Sequence, residues 1–285
     1  MKISFILVYS STKNMRIFDP VCWKKEDATF DADIIEGTKR TLRQIEKINV
    51  DKEIILLDNT GDFPKDFKLD SLQVVPSFGA WSDEKRLENI GLFSNIKDKI
   101  PTKIKDQDQN TITAVAYNHG ISIAKGDYFI IQHNDICYLD KYYKTEKLIE
   151  DVVNTLEKED YEYITIDKKP VKNGIYKEVG YFADCYWFLC RKDFYTKHNI
   201  WIDWKFGDNN HLATITCYQK KLKYLHLPGF YENYEQSRNL FTHTIGEKGK
   251  FNIHLFNDKP FLVHAKGGTG LKLINKVKKF YDTTN

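Results

Sequence analysis

The stretch from Asn118 to Asp135 constrains the fold more than any other part of the chain. It predicts a helix that ends at Lys125-Gly126, followed by a buried apolar strand, Tyr128–Gln132, and then the polar triplet His133-Asn134-Asp135. Polar and acidic groups that follow a strand lie where α/β folds place their ligands. A carboxylate at this position is suited to a divalent cation, and the cation in turn is suited to a diphosphate.

The same alternation of apolar strands and amphipathic helices runs through most of the chain. Further strands are predicted at Ile3–Tyr9, Glu53–Leu57, Leu72–Val75, Tyr161–Ile166, Tyr181–Cys190 and Lys223–Leu227. Further helices are predicted at Asp33–Ile48, Lys144–Glu159, Lys192–His198, His211–Lys220 and Leu271–Tyr281. This rhythm is typical of an α/β fold with a mostly parallel central sheet flanked by helices, here with a C-terminal helical extension. Residues 79–110 are predicted to be an insertion or lid, and 233–250 a mobile loop.

Composition excludes several classes of protein. The chain has 285 residues with an apolar fraction of 41%, enough for a substantial core. Its five cysteines include no CxxC pair, which argues against a disulfide framework or a structural zinc site and favours a reducing compartment. No apolar run approaches the roughly 18–20 residues of a membrane-spanning helix, and the N-terminal apolar run is expected to be a core strand, not a signal peptide. The expected location is therefore cytoplasmic.

The net charge of +3 is confined to the C-terminal segment 271–285. A nucleic-acid-binding protein normally carries a broad basic face, so no nucleic-acid partner is expected. The basic helix 271–281 is a candidate for peripheral contact with an anionic membrane surface, and its alternative is a solvated helix packed on the domain by its apolar side.

Four motifs occur in an order that is familiar from one family. Leu56–Asp62 is similar to V-D-N-x-S-x-D, and 116–128 is similar to A-R-N-x-G…A-x-G-x-Y, with Tyr117 in place of the usual Arg. The triplet 133–135 stands where the family has its Asp-x-Asp metal motif, and Gly207–Leu212 is similar to G-E-D-x-x-L. Together the motifs resemble a glycosyltransferase of the GT-A fold, closest to the inverting family-2-like enzymes.

The resemblance implies the reaction and the division of the chain. A sugar would pass with inversion from a nucleotide-diphosphate donor, UDP-sugar being favoured, to a hydroxyl of a glycan or lipid-linked acceptor. Asp208 would be the general base, with Asp203 as its competitor; the structural alternative for Asp208 is a helix cap. A transferase domain would cover 1–230, with a nucleotide-binding half at about 1–135 and an acceptor half at about 136–230, and 231–285 would complete it.

A divalent cation is implied at the third motif. Asp135 keeps the last carboxylate of the family pattern, whereas His133 replaces the first. His264, in a Gly-rich stretch that resembles a late segment of some family members, is a third candidate ligand. A set of histidine and carboxylate ligands favours Mn²⁺ over Mg²⁺. A turn cap for Asp135 and satisfied or surface histidines are the alternatives.

The resemblance also implies contacts to both substrates. The residues expected at the nucleotide sugar are Tyr9, Ser10, Asp58, Asn59, Asp62, Asn118 and Asn134. Their alternatives are structural: a type I turn for the Asp58 loop, a core position for Tyr9 and a polar helix position for Asn118. Weaker candidates for acceptor binding are Trp187, Trp204 and Asn209. The alternative for the two tryptophans is a core position, which aromatic residues near such a motif often occupy.

Two other functions remain open. A non-catalytic module that binds a nucleotide sugar or glycan on the same fold is one, since fold does not establish function. A sugar nucleotidyltransferase is the other, but it would need a Gly-rich basic signature soon after the first strand, and 9–14 contain no glycine.

Overall fold

The structure, a computed structural model, describes residues 1–11, 28–77, 80, 109–134, 136–140, 142–166, 168–170, 179, 181–183, 185–202, 210–232 and 250–266. For 28–33, 109–112, 168–170, 229–232, 250–252 and 264–266 it describes the backbone alone. Nearly all of the predicted insertion, the predicted mobile loop and the basic helix 271–281 lie outside these residues.

Seven strands form one sheet in the order β10-β6-β9-β4-β1-β2-β3, with β4 at its centre and β1 next to it. The strands are β1 (Lys2–Tyr9), β2 (Asp51–Asp58), β3 (Leu72–Pro76), β4 (Tyr128–Gln132), β6 (Tyr161–Thr165), β9 (Trp187–Arg191) and β10 (Lys223–His226). Four neighbouring strands, β4, β1, β2 and β3, are parallel, and β6 and β10 are parallel to each other. Only β9 runs antiparallel to its neighbours β4 and β6 among these described strands.

Helices cover both faces of this sheet. The described helices are α1 (Ala28–Glu46), α2 (Gln109–Ile123), α3 (Thr145–Glu159), α4 (Lys192–Lys197) and α5 (His211–Lys220). Side chains of α1 and α3 join the core on one face, and those of α2, α4 and α5 join the core on the other. The predicted fold class, a mostly parallel sheet flanked by helices, is therefore confirmed.

A second, antiparallel sheet follows the order β11-β12-β13-β5 and was not predicted. Its strands are β5 (Ile136–Tyr138), β11 (Gly229–Glu232), β12 (Lys250–Phe256) and β13 (Lys259–Lys266). Because β5 comes only three residues after β4, the polar triplet is the connection between the two sheets.

One predicted strand, Tyr181–Cys190, is divided in two. Its first part, β8 (Tyr181–Ala183), pairs with β7 (Lys168–Pro170), whereas its second part is β9 of the central sheet. Ala183 and Cys185, on either side of the break, are both buried, and Asp184 is the one charged residue of the predicted run.

No described helix is long and apolar enough to cross a membrane. The four described cysteines, Cys137, Cys185, Cys190 and Cys217, are buried and free. Burial raises the pKa of the Cys137 and Cys190 thiols well above the usual value, so neither is an activated nucleophile at neutral pH.

Gly120 sets how closely α2 approaches β1. A Cβ at this position would lie 2.4 Å from Cγ2 of Ile6 and 3.0 Å from Cδ2 of Leu57. Ile6 is fully buried and branched at Cβ, so its side chain has little freedom to move aside. We expect Gly120→Ala to lower the free energy of unfolding by about 1–3 kcal/mol, measured by urea titration.

Gly37, in α1, is the matched control. A Cβ added there meets nothing within 4 Å. Gly37→Ala is expected to leave stability unchanged or raise it by up to about 1 kcal/mol, because alanine favours the helix. Equal losses for the two variants would contradict the close packing of α2 on β1.

Candidate functional site

The candidate site lies at the carboxyl edge of the parallel strands. From β1 the chain moves to β2 and β3 on one side, and it then returns through α2 to β4 on the other side of β1. Loops that leave β1 and β4 therefore diverge, and a crevice between such loops is the usual ligand position of open α/β sheets. The predicted residues after β1, β2 and β4 flank this crevice.

The loops after β1 and β2 are joined by hydrogen bonds. The backbone N–H of Asn59 donates to the carbonyl of Tyr9 (3.0 Å), and the N–H of Ser11 donates to Oγ1 of Thr60 (3.2 Å). The Ser11 hydroxyl donates to Oδ2 of Asp62 (2.6 Å), whose other oxygen accepts from the Thr60 hydroxyl (2.6 Å). Asp62 thus joins this pair of loops, and its expected contact with a nucleotide sugar stays a prediction.

Asp58 is the organiser of its own loop. One carboxylate oxygen accepts from the N–H groups of Thr60 (3.0 Å) and Gly61 (2.7 Å), and the other accepts from the N–H of Phe63 (3.1 Å). Gly61 has φ = 74°, a left-handed conformation that glycine adopts without strain. The Asp58 carboxylate therefore has a structural role in this loop, and a contact from Asp58 to a nucleotide stays a prediction.

Tyr9 is a core residue in this structure. Its side chain is completely buried and packs edge-on against Phe63, with the ring centroids 5.1 Å apart. The expectation that its ring stacks on a nucleobase is wrong for this conformation, because no face of the ring is exposed. Ser10, the next residue, is half-buried and remains at the crevice.

Helix α1 holds the polar triplet in place. The Thr41 hydroxyl donates to the carbonyls of Asn134 and Ile136, both at 3.1 Å, and the Asn134 amide donates to Oγ1 of Thr38 (3.1 Å). Thr38 and Thr41 are buried on the inner face of an otherwise amphipathic helix. Two polar residues on this buried helix face are the sequence signal that points to such a contact.

His133 lies between two tyrosine rings. Its ring is stacked on that of Tyr117 (centroids 6.3 Å apart, planes at 14°) and meets that of Tyr186 edge-on (4.6 Å, 86°). Its backbone N–H also donates to the carbonyl of Tyr186 (2.9 Å). Tyr117 and His133 both depart from the family pattern, and they contact each other.

Backbone pairing brings His264 close to the triplet. In the β13–β5 ladder His264 is paired with Ile136, the residue after Asp135. Asp135 and the side chain of His264 lie outside the part of the chain that the structure describes. No group of three histidine, cysteine, aspartate or glutamate side chains that could hold a metal occurs among the described residues. The metal set therefore stays a prediction.

The segment predicted to carry the general base is 203–209, and it too lies outside the described residues. It includes Asp208, its competitor Asp203, and the acceptor candidates Trp204 and Asn209. The residues at its two ends, Ile202 and Asn210, are described and fully buried.

Asn118 contacts Ile202, the residue that precedes this segment. Its amide donates to the carbonyl of Ile202 (2.9 Å), and its amide oxygen accepts from the N–H of the same residue (2.9 Å). Asn118 therefore holds Ile202, the residue before this segment, and its expected contact with a nucleotide sugar stays a prediction.

Trp187 is not available to an acceptor. Its side chain is completely buried, and its indole N–H donates to the hydroxyl of Tyr138 (3.1 Å), which donates to Oε1 of Gln132 (2.6 Å). The acceptor assignment of Trp187 is therefore wrong, and the core alternative holds. Burial raises the pKa of the Tyr138 hydroxyl, which keeps it a neutral donor in this chain of bonds.

A groove of about 530 Å³ lies at the opposite end of β4, beside Lys125, Tyr128 and Arg191. The guanidinium of Arg191, one of its lining residues, lies 2.8 Å from Glu157. Burial, followed by the hydrogen bond to Glu157, raises the pKa of Tyr128 to about 12. Because ligands of α/β sheets bind at the carboxyl edge, this groove is not the candidate site.

The aspartate at the end of β2 can be tested by its effect on folding. Asp58→Ala removes the acceptor of three N–H groups in a buried loop, so we expect the free energy of unfolding to fall by about 2–4 kcal/mol. Asp66→Ala, in the exposed turn that follows, is the control and should change it by less than about 0.5 kcal/mol. Equal stability of the two variants would contradict the role of Asp58 in the loop.

Comparison with known proteins gives a distant likeness only. No family model matches the chain, and no curated protein matches it. Among solved structures it is similar to S. aureus TarS residues 1–349 (TM-score 0.36), to the same fragment in complex with UDP-GlcNAc (0.38) and to a longer TarS chain (0.38), each at 11% identity. These matches cover 76% of this chain, but 55%, 53% and 33% of the respective TarS chains. A likeness at this level carries no argument about activity.

Proposed function

We propose that the chain is a glycosyltransferase that moves a sugar from a nucleotide-diphosphate donor, with UDP favoured, to a hydroxyl of a glycan or lipid-linked acceptor. The observation that supports this most is that the parallel strands β1, β2 and β4 end at the same edge of the sheet and that each is followed by polar residues. The loops after β1 and β2 are cross-linked through Ser11, Thr60 and Asp62, and the residues after β4 are fixed by α1. Such prearranged polar groups suit an extended polar ligand.

The proposed chemistry is a displacement with inversion. The acceptor hydroxyl attacks the anomeric carbon on the face opposite the diphosphate, the bond from that carbon to the diphosphate oxygen breaks, and the carboxylate of Asp208 takes the hydroxyl proton. The role of Asp208 comes from the resemblance of Gly207–Leu212 to the family motif G-E-D-x-x-L. Helix α5 begins at His211, three residues after Asp208.

The donor set His133, Asp135 and His264 fits a divalent cation by its chemistry, because imidazole and carboxylate together suit Mn²⁺ better than Mg²⁺. The pairing of His264 with Ile136 supports the set, since it places the two chain segments side by side. A bound cation would neutralise charge on the leaving diphosphate. The rings of Tyr117 and Tyr186 pack against His133 and limit the orientations open to its imidazole.

A second candidate function is a binding module without turnover. The contact that favours it is the Tyr117–His133 stack, because an aromatic pair occupies two positions that are charged in the family pattern. Retention of Asp135 and Asp208 favours the enzyme.

The base can be tested with a pair of aspartate variants. The full chain is incubated with UDP-sugars, Mn²⁺ and candidate acceptors, and release of UDP and formation of product are followed. We expect Asp208→Asn to lower turnover by about 10²–10⁴-fold while UDP still binds, because only the proton acceptor is lost. Asp203→Asn is the control and should lose much less. Full turnover by Asp208→Asn would contradict the assignment, and a wild-type chain that binds nucleotide without turnover would favour the module.

The cation can be tested by binding and by activity. We expect His133→Ala to weaken Mn²⁺ binding by about 10-fold or more, measured by calorimetry in the presence of UDP, because one of the proposed ligands is removed. His198→Ala, at the end of α4 and away from the crevice, is the matched control and should bind Mn²⁺ as the wild type does. Unchanged Mn²⁺ affinity in His133→Ala would remove His133 from the ligand set.

A further inference from the structure

Strand β5 (Ile136–Tyr138) has a strand partner on one edge only among the described residues. It is the last strand of the second sheet and pairs with β13. The N–H of Leu139 donates to the carbonyl of Phe261, in β13 (2.8 Å). Because backbone groups of successive residues in a strand point to opposite edges, those of Tyr138 point away from β13. The N–H and C=O groups on this second edge need another partner.

Helix α1 supplies those partners from its side chains. The Gln44 amide donates to the carbonyl of Tyr138 (3.1 Å), and its oxygen accepts from the N–H of the same residue (3.3 Å). The Thr41 hydroxyl donates to the carbonyls of Asn134 and Ile136, each at 3.1 Å. The carbonyls of the alternate residues 134, 136 and 138 therefore all bond to α1, as the carbonyls of an inner strand bond to a neighbouring strand.

Thr38 extends this row of contacts by one step. Its hydroxyl accepts from the Asn134 amide (3.1 Å) and donates to the carbonyl of Ile34, one turn earlier in the helix (2.8 Å). Thr38, Thr41 and Gln44 follow one another at intervals of three residues, so they lie along one side of α1. Both threonines are buried and Gln44 is half-buried. These three residues are called the α1 polar row below.

The α1 polar row acts on the proposed ligand set through the backbone. Strand β5 lies between α1 and β13, and His264 of β13 is paired with Ile136. Before β5, the N–H of His133 donates to the carbonyl of Tyr186 (2.9 Å), which continues the pairing of β4 with β9. The bonds from α1 thus hold the chain between the backbone positions of the two histidines.

We propose that the α1 polar row takes the place of a neighbouring strand for β5, and that its members are positioning residues which set the distance between His133 and the backbone of His264. The positioning role rests on the proposed function, because the cation belongs to that function, whereas the edge pairing does not. Groups that orient metal ligands without touching the metal typically account for about 10–100-fold in metal affinity. An apolar residue in the row would leave backbone groups of β5 unpaired.

The first test concerns the edge pairing and needs neither cation nor activity. Amide hydrogen exchange at Tyr138 and at Leu139 is followed by NMR in the wild type, Gln44→Leu and Gln44→Glu. We expect Gln44→Leu to exchange at least about 10-fold faster at Tyr138 relative to Leu139, because only the acceptor of the Tyr138 N–H is lost. Gln44→Glu keeps an acceptor and should be intermediate.

The ratio of the two rates distinguishes local opening at the edge from a general loss of stability, which would raise both rates equally. The matched control is Thr155→Val, which removes a bond from the Thr155 hydroxyl to the carbonyl of Asp151 within α3 (2.9 Å). It should leave the ratio of Tyr138 to Leu139 as it is in the wild type. An unchanged ratio in Gln44→Leu overturns the edge pairing.

The second test concerns the positioning role. Thr41→Val should weaken Mn²⁺ binding by about 10–100-fold, measured by calorimetry in the presence of UDP, whereas Thr41→Ser and Thr155→Val should stay within about twofold of the wild type. In the His133→Ala background, Thr41→Val should cost less than about threefold, because one of the two groups that it keeps in place is gone. The same loss in both backgrounds overturns the positioning role. Absence of Mn²⁺ binding by the wild type overturns that role together with the proposed cation, and the exchange ratio still decides the edge pairing.

Discussion

The parallel pairing of β1 with β2 on one side and β4 on the other is the constraint on which the candidate site depends. In this register Tyr9 lies opposite Asp58, and Ile6 lies opposite Ile131. The ends of all three strands consequently reach one edge of the sheet, where the loops after β1 and β2 are joined by hydrogen bonds. Because side chains alternate between faces, a shift of one residue in β4 would exchange its buried faces and move His133 to the other side of the sheet.

This register is secured from both faces. Gly120 allows α2 to lie against Ile6, and α1 holds the backbone after β4 through the two threonines Thr38 and Thr41. The triplet is also the passage from the central sheet to the second sheet, so its two ends belong to different ladders. Hydrogen bonds hold the described backbone on both sides of Asp135, at His133, Asn134 and Ile136, which suits a ligand site that must be formed before the ligand arrives.

The elements of the central sheet could be predicted from the sequence because their signals are local. Tyr128–Gln132 and His211–Lys220 were predicted with the bounds that the structure has, since an apolar run or a helical period ends there at clear polar or turn residues. The second sheet could not be predicted, because β12 and β13 depend on pairing with each other and with the distant β5. Long-range pairing of this kind leaves little trace in the pattern of a short strand.

The same distinction holds in the candidate site. That polar residues cluster after β1, β2 and β4 was predicted, because position along a strand is readable from the sequence. The direction of the large aromatic side chains could not be predicted, because an aromatic residue fits a buried position and a sugar-binding surface equally well. Tyr9 and Trp187 belong to the core. Partners across the chain, such as Asn118 with Ile202 or His133 with Tyr117 and Tyr186, depend on how the helices pack and have no signature in sequence spacing.

The central claim is that the crevice between β1 and β4 binds a nucleotide diphosphate, and the most direct test is a thermal-shift measurement of the whole chain with UDP, GDP, TDP and CMP, each with and without Mn²⁺. A ligand that binds only the folded state stabilises it by about 2.7 kcal/mol at one hundred times its Kd. The account predicts a rise in Tm with UDP that is larger when Mn²⁺ is present. Absence of a shift with every nucleotide, with or without the cation, would contradict it.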